Sequence, residues 1–380
     1  MSISIAILGT RGIPNHYGGF EQLSEYLAPG LVKAGHDVTV YNSHNHPYRE
    51  KTWKGVHIRH CYDPEYLLGS AGQFVYDLNC LIDARKRKFD VILQLGYTSS
   101  SIWGALFPKD SMTICNLDGL EWQRTKYSPM TRRFLLYAEK LAVKYSDLHI
   151  ADSPVIQGYF QEKYGILPEY IAYGAELFGP ADPSVLHEYD IRPGHYFLLM
   201  ARMEPENNLE TILDGYTKSR TEMPILVVGD TANAFSKHLR TRFGADSRII
   251  FTGGIYDQWK THCLKSFCRM YFHGHSTGGT NPSLLEAMAS EALIAAHDNP
   301  FNRQVLDEDA CYFSNAGEVT DLVQHLPPSL AFDDMKKRNK QKILEQFSWP
   351  DIIARYERFI LYSLSIRNHE GNILYRRYTG

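Results

Sequence analysis

The residues best placed for chemistry follow the strand predicted over 270–272, in the run His273-Gly274-His275-Ser276-Thr277-Gly278-Gly279-Thr280-Asn281-Pro282-Ser283-Leu284-Leu285-Glu286. Asn281 is a good N-cap and Pro282 suits a first helical position, so Gly278, Gly279, Thr280 and Asn281 line the N-terminus of a helix. Backbone N–H groups and the helix dipole favour an anion there, phosphate above all. Glu286 follows just over one turn into the helix, where its carboxylate can accept hydrogen bonds from the vicinal hydroxyls of a sugar. The plainer alternative is a carboxylate that complements the helix dipole. Arg202 stands just past another predicted strand, in Ala201-Arg202-Met203-Glu204-Pro205-Glu206-Asn207-Asn208, where a guanidinium can grip phosphate with two hydrogen bonds. Its alternative is a surface ion pair with Glu204 or Glu206, worth about 0 to 1 kcal/mol.

A second glycine-rich loop, from Gly9 to Gly18, Gly19, Phe20 and Glu21, joins the first predicted strand to a helix. It departs from the dinucleotide fingerprint G-x-G-x-x-G because Arg11 occupies the second glycine position. Two readings stand side by side: a phosphate cradle, or glycines that only shape a turn.

The elements that must position these residues are legible as short apolar runs alternating with stretches of helical period, the pattern of parallel sheets covered by helices on both faces. Strands are predicted over 3–8, 38–41, 56–59, 91–95, 112–115, 148–151 and 170–173, and the pattern restarts over 196–200, 225–228, 249–251, 270–272 and 293–296. Pro and Gly breakers at 178–183 and 192–194 read as an interdomain linker, with a boundary near residue 190. After Pro327-Pro328 the chain reads as helical, over 335–347 and 349–364, while Asp307-Glu308-Asp309 reads as a solvated turn.

Composition bounds the function. The chain is 44% hydrophobic and 22% charged, with 40 Lys+Arg against 43 Asp+Glu and a formal net charge of -3, which excludes a disordered tail and gives no global field for nucleic acid. Six scattered cysteines without a Cys-x-x-Cys read as free thiols in a reducing compartment. The apolar N-terminus lacks the basic leader of a signal peptide, and no run of 18 apolar residues occurs, so a cytoplasmic protein is expected. Basic runs at Arg85-Lys86-Arg87-Lys88 and Arg132-Arg133 could meet anionic lipid headgroups or could be solvated helix ends.

Taken together, the segments Tyr17-Gly18-Gly19-Phe20-Glu21, Gly35-His36-Asp37-Val38-Thr39-Val40, 202–208, Asn281-Pro282-Ser283-Leu284-Leu285-Glu286-Ala287-Met288 and Phe347-Ser348-Trp349 resemble the glycosyltransferases of family 4 over nearly the whole chain. The resemblance implies the α/β fold called GT-B, in which two doubly wound Rossmann-like domains face a cleft. An acceptor-side domain over 1–190 and a nucleotide-sugar domain over 191–347 would be followed by a helical segment over 348–380 that crosses back to the first domain. Two family positions differ here: Gly278 stands for the first Glu of the usual E-x7-E, and Asn207 for the usual Lys. These departures, with Asn116-Leu117-Asp118-Gly119-Leu120-Glu121-Trp122, are similar to a bacterial rhamnosyltransferase subgroup, which implies a TDP-L-rhamnose donor and an acceptor saccharide, free or on a polyprenyl carrier, in surface-polysaccharide synthesis.

The implied reaction retains anomeric configuration and needs no cofactor and no metal. The donor diphosphate would be met by the Gly18 and Gly19 backbone, Arg202, Asn207 and the groups from Gly278 to Asn281, with Glu286 on a sugar. Asp118 either takes part in catalysis or belongs to an Asp-Gly turn. His16, Tyr97, Glu121 and Arg124 could line the acceptor side or serve as loop and packing residues. Two other classes stay open: a catalytically silent nucleotide-sugar-binding subunit, suggested by Gly278 and Asn207, and a nicotinamide-dependent oxidoreductase, suggested only by the doubly wound pattern.

Overall fold

Strands covered by helices on both faces can bury every side chain, and the unbroken apolar runs of this chain fold accordingly into two largely parallel sheets. The computed structural model describes residues 2–16, 18–124, 126–325 and 330–378, so Tyr17 and Pro327-Pro328 lie outside the described residues. The chain divides into two compact units: Met1–Trp122 with Pro129–Ala172 and Trp349–Gly380, and Gln123–Ser128 with Tyr173–Ser348.

The strands of the N-terminal unit are β1 (Ser4–Leu8), β2 (Asp37–Ser43), β3 (Thr52–Trp53), β4 (Val56–Cys61), β5 (Val91–Leu95), β6 (Met112–Asn116), β7 (Leu148–Ala151) and β8 (Glu169–Tyr170). They lie in the order β3-β4-β2-β1-β5-β6-β7-β8. Only the β3 pairing is antiparallel; β1 registers Ile7 against Val40 on one side and Leu93 on the other, all fully buried. The helices of this stretch are α1 (Gly19–Lys33), α2 (Glu65–Leu68), α3 (Gly72–Arg87), α4 (Pro129–Tyr145) and α5 (Pro154–Tyr164).

The C-terminal unit contains β9 (Phe197–Met200), β10 (Ile225–Val228), β11 (Ile249–Gly253), β12 (Met270–His273), β13 (Ile294–His297) and β14 (Cys311–Phe313). All are parallel, in the order β11-β10-β9-β12-β13-β14. Its helices are α6 (Leu209–Lys218), α7 (Ala234–Phe243), α8 (Gln258–Phe267), α9 (Pro282–Ala289), α10 (Pro300–Leu306), α11 (Ala316–His325) and α12 (Leu330–Gln346). The last helix, α13 (Trp349–Tyr378), belongs to the N-terminal unit, where Trp349 stacks on Tyr26 of α1 with ring centroids 4.3 Å apart. Gly30 of α1 permits this approach, since a Cβ there would lie 2.7 Å from Ile353.

Each sheet reverses its strand order beside its first strand: β1 lies between β2 and β5, and β9 lies between β10 and β12. Ligands of open α/β sheets bind at the carboxyl ends of strands beside such a reversal. The loops there are 9–18 and 96–100 in one unit, and 201–208 and 274–281 in the other.

Three expectations are corrected. The chain passes between units after Ala172 rather than near residue 190, and the breakers at 178–183 and 192–194 fold inside the C-terminal unit, with Asp182 accepting the Ser184 N–H at 2.8 Å. The strand predicted over 170–173 ends at Tyr170, whereas β3 and β14 went unread because two or three residues are too few to show a period. Asp309 is not part of a solvated turn: it is buried, and its carboxylate accepts from Arg338 at 2.6 Å and Lys342 at 2.9 Å. Those two cations hold its pKa below the usual carboxylate range against the opposing effect of burial.

Candidate functional site

In the C-terminal unit β12 delivers its chain directly into the glycine loop that starts α9. Asn281 caps that helix, its side-chain oxygen accepting from the Ser283 N–H at 2.9 Å and the Ser283 hydroxyl at 2.8 Å. Glu286 lies on α9, and its Oε2 accepts from Lys265 Nζ at 2.5 Å. Lys265 comes from α8 and is almost wholly buried; sequence reading gave it no role, because a lysine among helix residues is ordinarily solvated.

Arg202, Asn207 and the glycine loop interlock. Asn207 donates to the Arg202 carbonyl at 2.7 Å, which orients its amide, and its oxygen accepts from His275 Nδ1 at 2.8 Å. His275 is therefore protonated on Nδ1, and burial together with His273, Arg124 and Arg202 holds its pKa well below the usual histidine value. Its Nε2 faces Gly278, where a Cβ would stand 3.0 Å away and where φ is +124°. A glutamate at 278 would be strained in this backbone and would crowd the imidazole, which is the physical reason glycine occupies the position. The Ser276 N–H and hydroxyl both bond the Glu206 carbonyl, at 3.1 and 2.8 Å, tying the loop after β12 to the loop after β9.

Arg202 is exposed; Glu206 pairs with Arg124 at 3.4 Å and Glu204 with Lys126 at 3.0 Å, while, against the effect of burial, Arg202 and Lys126 together hold the Glu204 pKa below its usual value. Arg124, expected on the acceptor side of the first domain, belongs to the C-terminal unit. Among the described residues, no group of three or more His, Cys, Asp and Glu is arranged to hold a metal ion.

The corresponding loop of the N-terminal unit is filled differently. Gly18 precedes α1 in extended conformation without a side-chain cap. Glu21, one turn on, turns back and accepts from the Arg11 N–H at 2.7 Å and the Thr10 hydroxyl at 3.2 Å, so the chain places its own carboxylate near the glycines Gly18 and Gly19. Arg11 is held by both oxygens of Glu65, at 2.7 and 2.9 Å.

On the other side of the reversal, Tyr97 follows β5 and Asp118 follows β6. Asp118 takes φ +52°, its N–H bonding Asn116 Oδ1 at 3.1 Å, while the Asn116 amide donates to Tyr356 of α13 at 3.0 Å. Tyr97 is buried; burial first, then the charges of Glu139, Asp118 and Glu121, raise its pKa well above the usual phenol value. The structure thus gathers Tyr97, Asp118 and Glu121. His16 stands apart from them, exposed, its ring edge-on to His46 at 4.5 Å. Two buried acids went unnoticed in the sequence because each lies within a helix. Asp77 of α3 accepts from Ser99 at 2.5 Å and is pushed up to about 7 by burial, and Glu139 of α4 is fully buried.

A family profile described as a domain of unknown function (DUF1972) matches residues 3–176, less than half of the chain. No curated protein matches. Among solved structures, the chain is similar to sucrose-phosphate synthase from Thermosynechococcus elongatus, with a TM-score of 0.80 at 15% identity over 96% of this chain and 100% of that one. HepE from Anabaena, solved with UDP and glucose, gives 0.73 at 16% identity over 95% and 100%. Trehalose 6-phosphate synthase from Burkholderia multivorans gives 0.67 at 12% identity over 97% and 98%. The fold is GT-B. These GT-B neighbours are glycosyltransferases, and they do not favour the nicotinamide-dependent reading of the doubly wound pattern. No helix among the described residues is long and apolar enough to cross a membrane.

Proposed function

We propose that the chain is a retaining, metal-independent glycosyltransferase that moves L-rhamnose from TDP-L-rhamnose to a saccharide acceptor, free or polyprenyl-linked, in the cytoplasmic stage of bacterial surface-polysaccharide synthesis. The observation that carries the reading is the interlocked loop pair of the C-terminal unit, in which exposed Arg202, the neutral His275–Asn207 pair, the glycines before α9 and Glu286 share the carboxyl ends of β9 and β12. HepE, of the same fold, was solved with UDP-glucose, a ligand of the same chemical class.

Sugar transfer builds negative charge on the leaving diphosphate and positive charge at the anomeric carbon, so cations and N–H groups fixed before the reaction do most to lower the barrier. Arg202 and the N–H groups around Thr280 and Asn281 meet the diphosphate in this reading, and Glu286 binds a donor hydroxyl. Gly18 and Gly19 are assigned a smaller share, because Glu21 already brings a negative charge to the start of α1. Asp118 orients the attacking acceptor hydroxyl. Residues Tyr66, Leu67 and Leu68 of α2 and Met130 of α4 are mostly exposed on the N-terminal unit, which supports contact with a membrane surface near a lipid-linked acceptor.

The test is transfer of labelled rhamnose from TDP-rhamnose to a panel of alkyl glycosides, with UDP-glucose and GDP-mannose as rival donors and EDTA as control. Transfer from another donor alone discards rhamnose. Activity lost to EDTA and restored by Mg²⁺ or Mn²⁺ discards metal independence, and donor binding without transfer or hydrolysis leaves a silent binding subunit. Failure to co-sediment with either neutral or anionic vesicles at low salt would discard the membrane contact.

A further inference from the structure

A cluster of polar groups lies around Glu139 and Trp122 in the N-terminal unit, and its hydrogen bonding is incomplete in one specific way. Glu139 of α4 is fully buried, and its Oε1 accepts from Lys163 at 2.7 Å, Tyr164 at 2.7 Å and Tyr159 at 3.0 Å, all from α5. Its Oε2, equally buried, has no hydrogen-bond partner among the described residues. Two buried donors of the same neighbourhood are likewise unpartnered: the Tyr97 hydroxyl and Trp122 Nε1. Trp122 belongs to the cluster because its ring lies 6.1 Å from that of Tyr159 and 5.7 Å from Lys163 Nζ. Tyr97 belongs to it because the N–H of the preceding Gly96 bonds the Asn116 carbonyl at 3.0 Å, which ties the Tyr97 loop to the start of the loop that carries Trp122, and Glu139 is the charge that acts most strongly on its hydroxyl.

A buried donor or acceptor left unmade costs about 1–3 kcal/mol, so two donors and one anionic acceptor in one cluster describe a place made for something else. The missing group must accept from Tyr97 or Trp122 and donate to Glu139. A hydroxyl does both, whereas a phosphate or carboxylate would set a second anion against Glu139. The half-buried rings of Trp122, Tyr159 and Tyr164 lie around Lys163 and Glu139 and suit the apolar face of a pyranose.

We propose that Tyr97, Trp122 and Glu139 form a subsite for the hydroxyls of a neutral sugar, the acceptor's own or the residue next to it. This deepens the glycosyltransferase reading and rests on it. Lys163, Tyr159 and Tyr164 act as positioning residues that fix the Glu139 carboxylate so that Oε2 is presented.

Tyr97→Phe removes a single oxygen that no described residue holds, so a purely packing role predicts an unchanged or raised Tm. The probes are the methyl glycosides of glucose, galactose, N-acetylglucosamine and rhamnose, with glucose 6-phosphate as the anionic control, read by ligand-observed NMR and by indole fluorescence. At least one neutral glycoside is expected to bind, at least about tenfold more weakly to Tyr97→Phe and to Glu139→Gln, with Trp122→Phe abolishing the fluorescence response. Binding of none of the glycosides, tighter binding of glucose 6-phosphate, or a Tyr97→Phe protein that binds like its parent would each overturn the subsite; the last would leave the three atoms to ordered water. Thermal shifts with TDP and UDP separate the two ideas. Failure of both nucleotides counts against the glycosyltransferase, and loss confined to the glycosides counts against the subsite.

Discussion

At the start of α9 the C-terminal unit presents a neutral amide cap, Asn281, with exposed Arg202 across the strand reversal; at the start of α1 the N-terminal unit places the Glu21 carboxylate. The contrast extends inward. In the C-terminal unit the site acids are met by cations, Glu286 by buried Lys265 and Glu206 by Arg124. The N-terminal unit brings the charges of Glu139, Asp118 and Glu121 to bear on Tyr97 and pushes Asp77 toward its protonated form; one oxygen of Glu139 meets Lys163 and the other, like Glu206 Oε2 in the C-terminal unit, is buried without a hydrogen-bond partner among the described residues. One plan of strands and crossovers therefore carries two different sets of charges, which in the proposed reading suit an anionic donor on one unit and a partner that brings hydroxyls on the other. The chemistry of each unit is decided by side chains at the switch point and not by the sheet.

Five substitutions would break or sharpen this contrast. Arg202→Ala removes the exposed cation and should lower turnover by about 10²–10³ while leaving Tm near that of the parent; a change under threefold, measured at saturating donor, would take the diphosphate away from β9. Glu286→Gln leaves the almost wholly buried Lys265 ammonium without its carboxylate and should destabilise by roughly 3–5 kcal/mol in urea unfolding, with Lys265→Met costing less because the Glu286 carboxylate it leaves is partly exposed to water.

Asp77 gives a pH signature for the N-terminal unit. Its folded pKa is raised from 3.8 to about 7, so folding favours the protonated acid: that stabilising linkage is complete below about pH 4 and is lost as pH rises toward 7. Across that window the parent should lose roughly 1.4 kcal/mol per pH unit relative to Asp77→Asn. Parallel stability-pH curves for the two proteins would remove the buried acid from the account. Asp309, with its pKa depressed, has the opposite sign: its stabilisation is present above the usual carboxylate range and lost as pH falls through the lowered value. The smallest effect is expected from Gly278→Ala, about 1–3 kcal/mol of strain at φ +124° together with weaker donor binding; an unchanged TDP affinity would show that His275 tolerates the methyl group.

Much of the arrangement was legible beforehand because its signals are local. The predicted 91–95 and 225–228 runs are β5 and β10 without adjustment, since uninterrupted apolar residues between turns have one economical fate in a doubly wound fold. Asn281 and Pro282 announce the start of α9 by their own backbone chemistry. By contrast, Lys265 and Glu139 look like any charged residue on a helix; their burial depends on which neighbouring helix covers that face. Arg124 lay in the stretch assigned to the first domain, yet its ion pair with Glu206 reaches across 82 positions, a pairing no window of sequence can contain.

What the sequence determined by itself were the two alternations of strand and helix, the glycine-bordered helix start and the candidate phosphate cation, all set by propensities, caps and periods that act within a few residues. Only the tertiary structure decided which charges are buried, which of them are paired and which polar atoms are left without a partner. Those outcomes depend on desolvation and on distances between segments remote in the chain, and a charge acquires its strength only when the fold has removed the water around it.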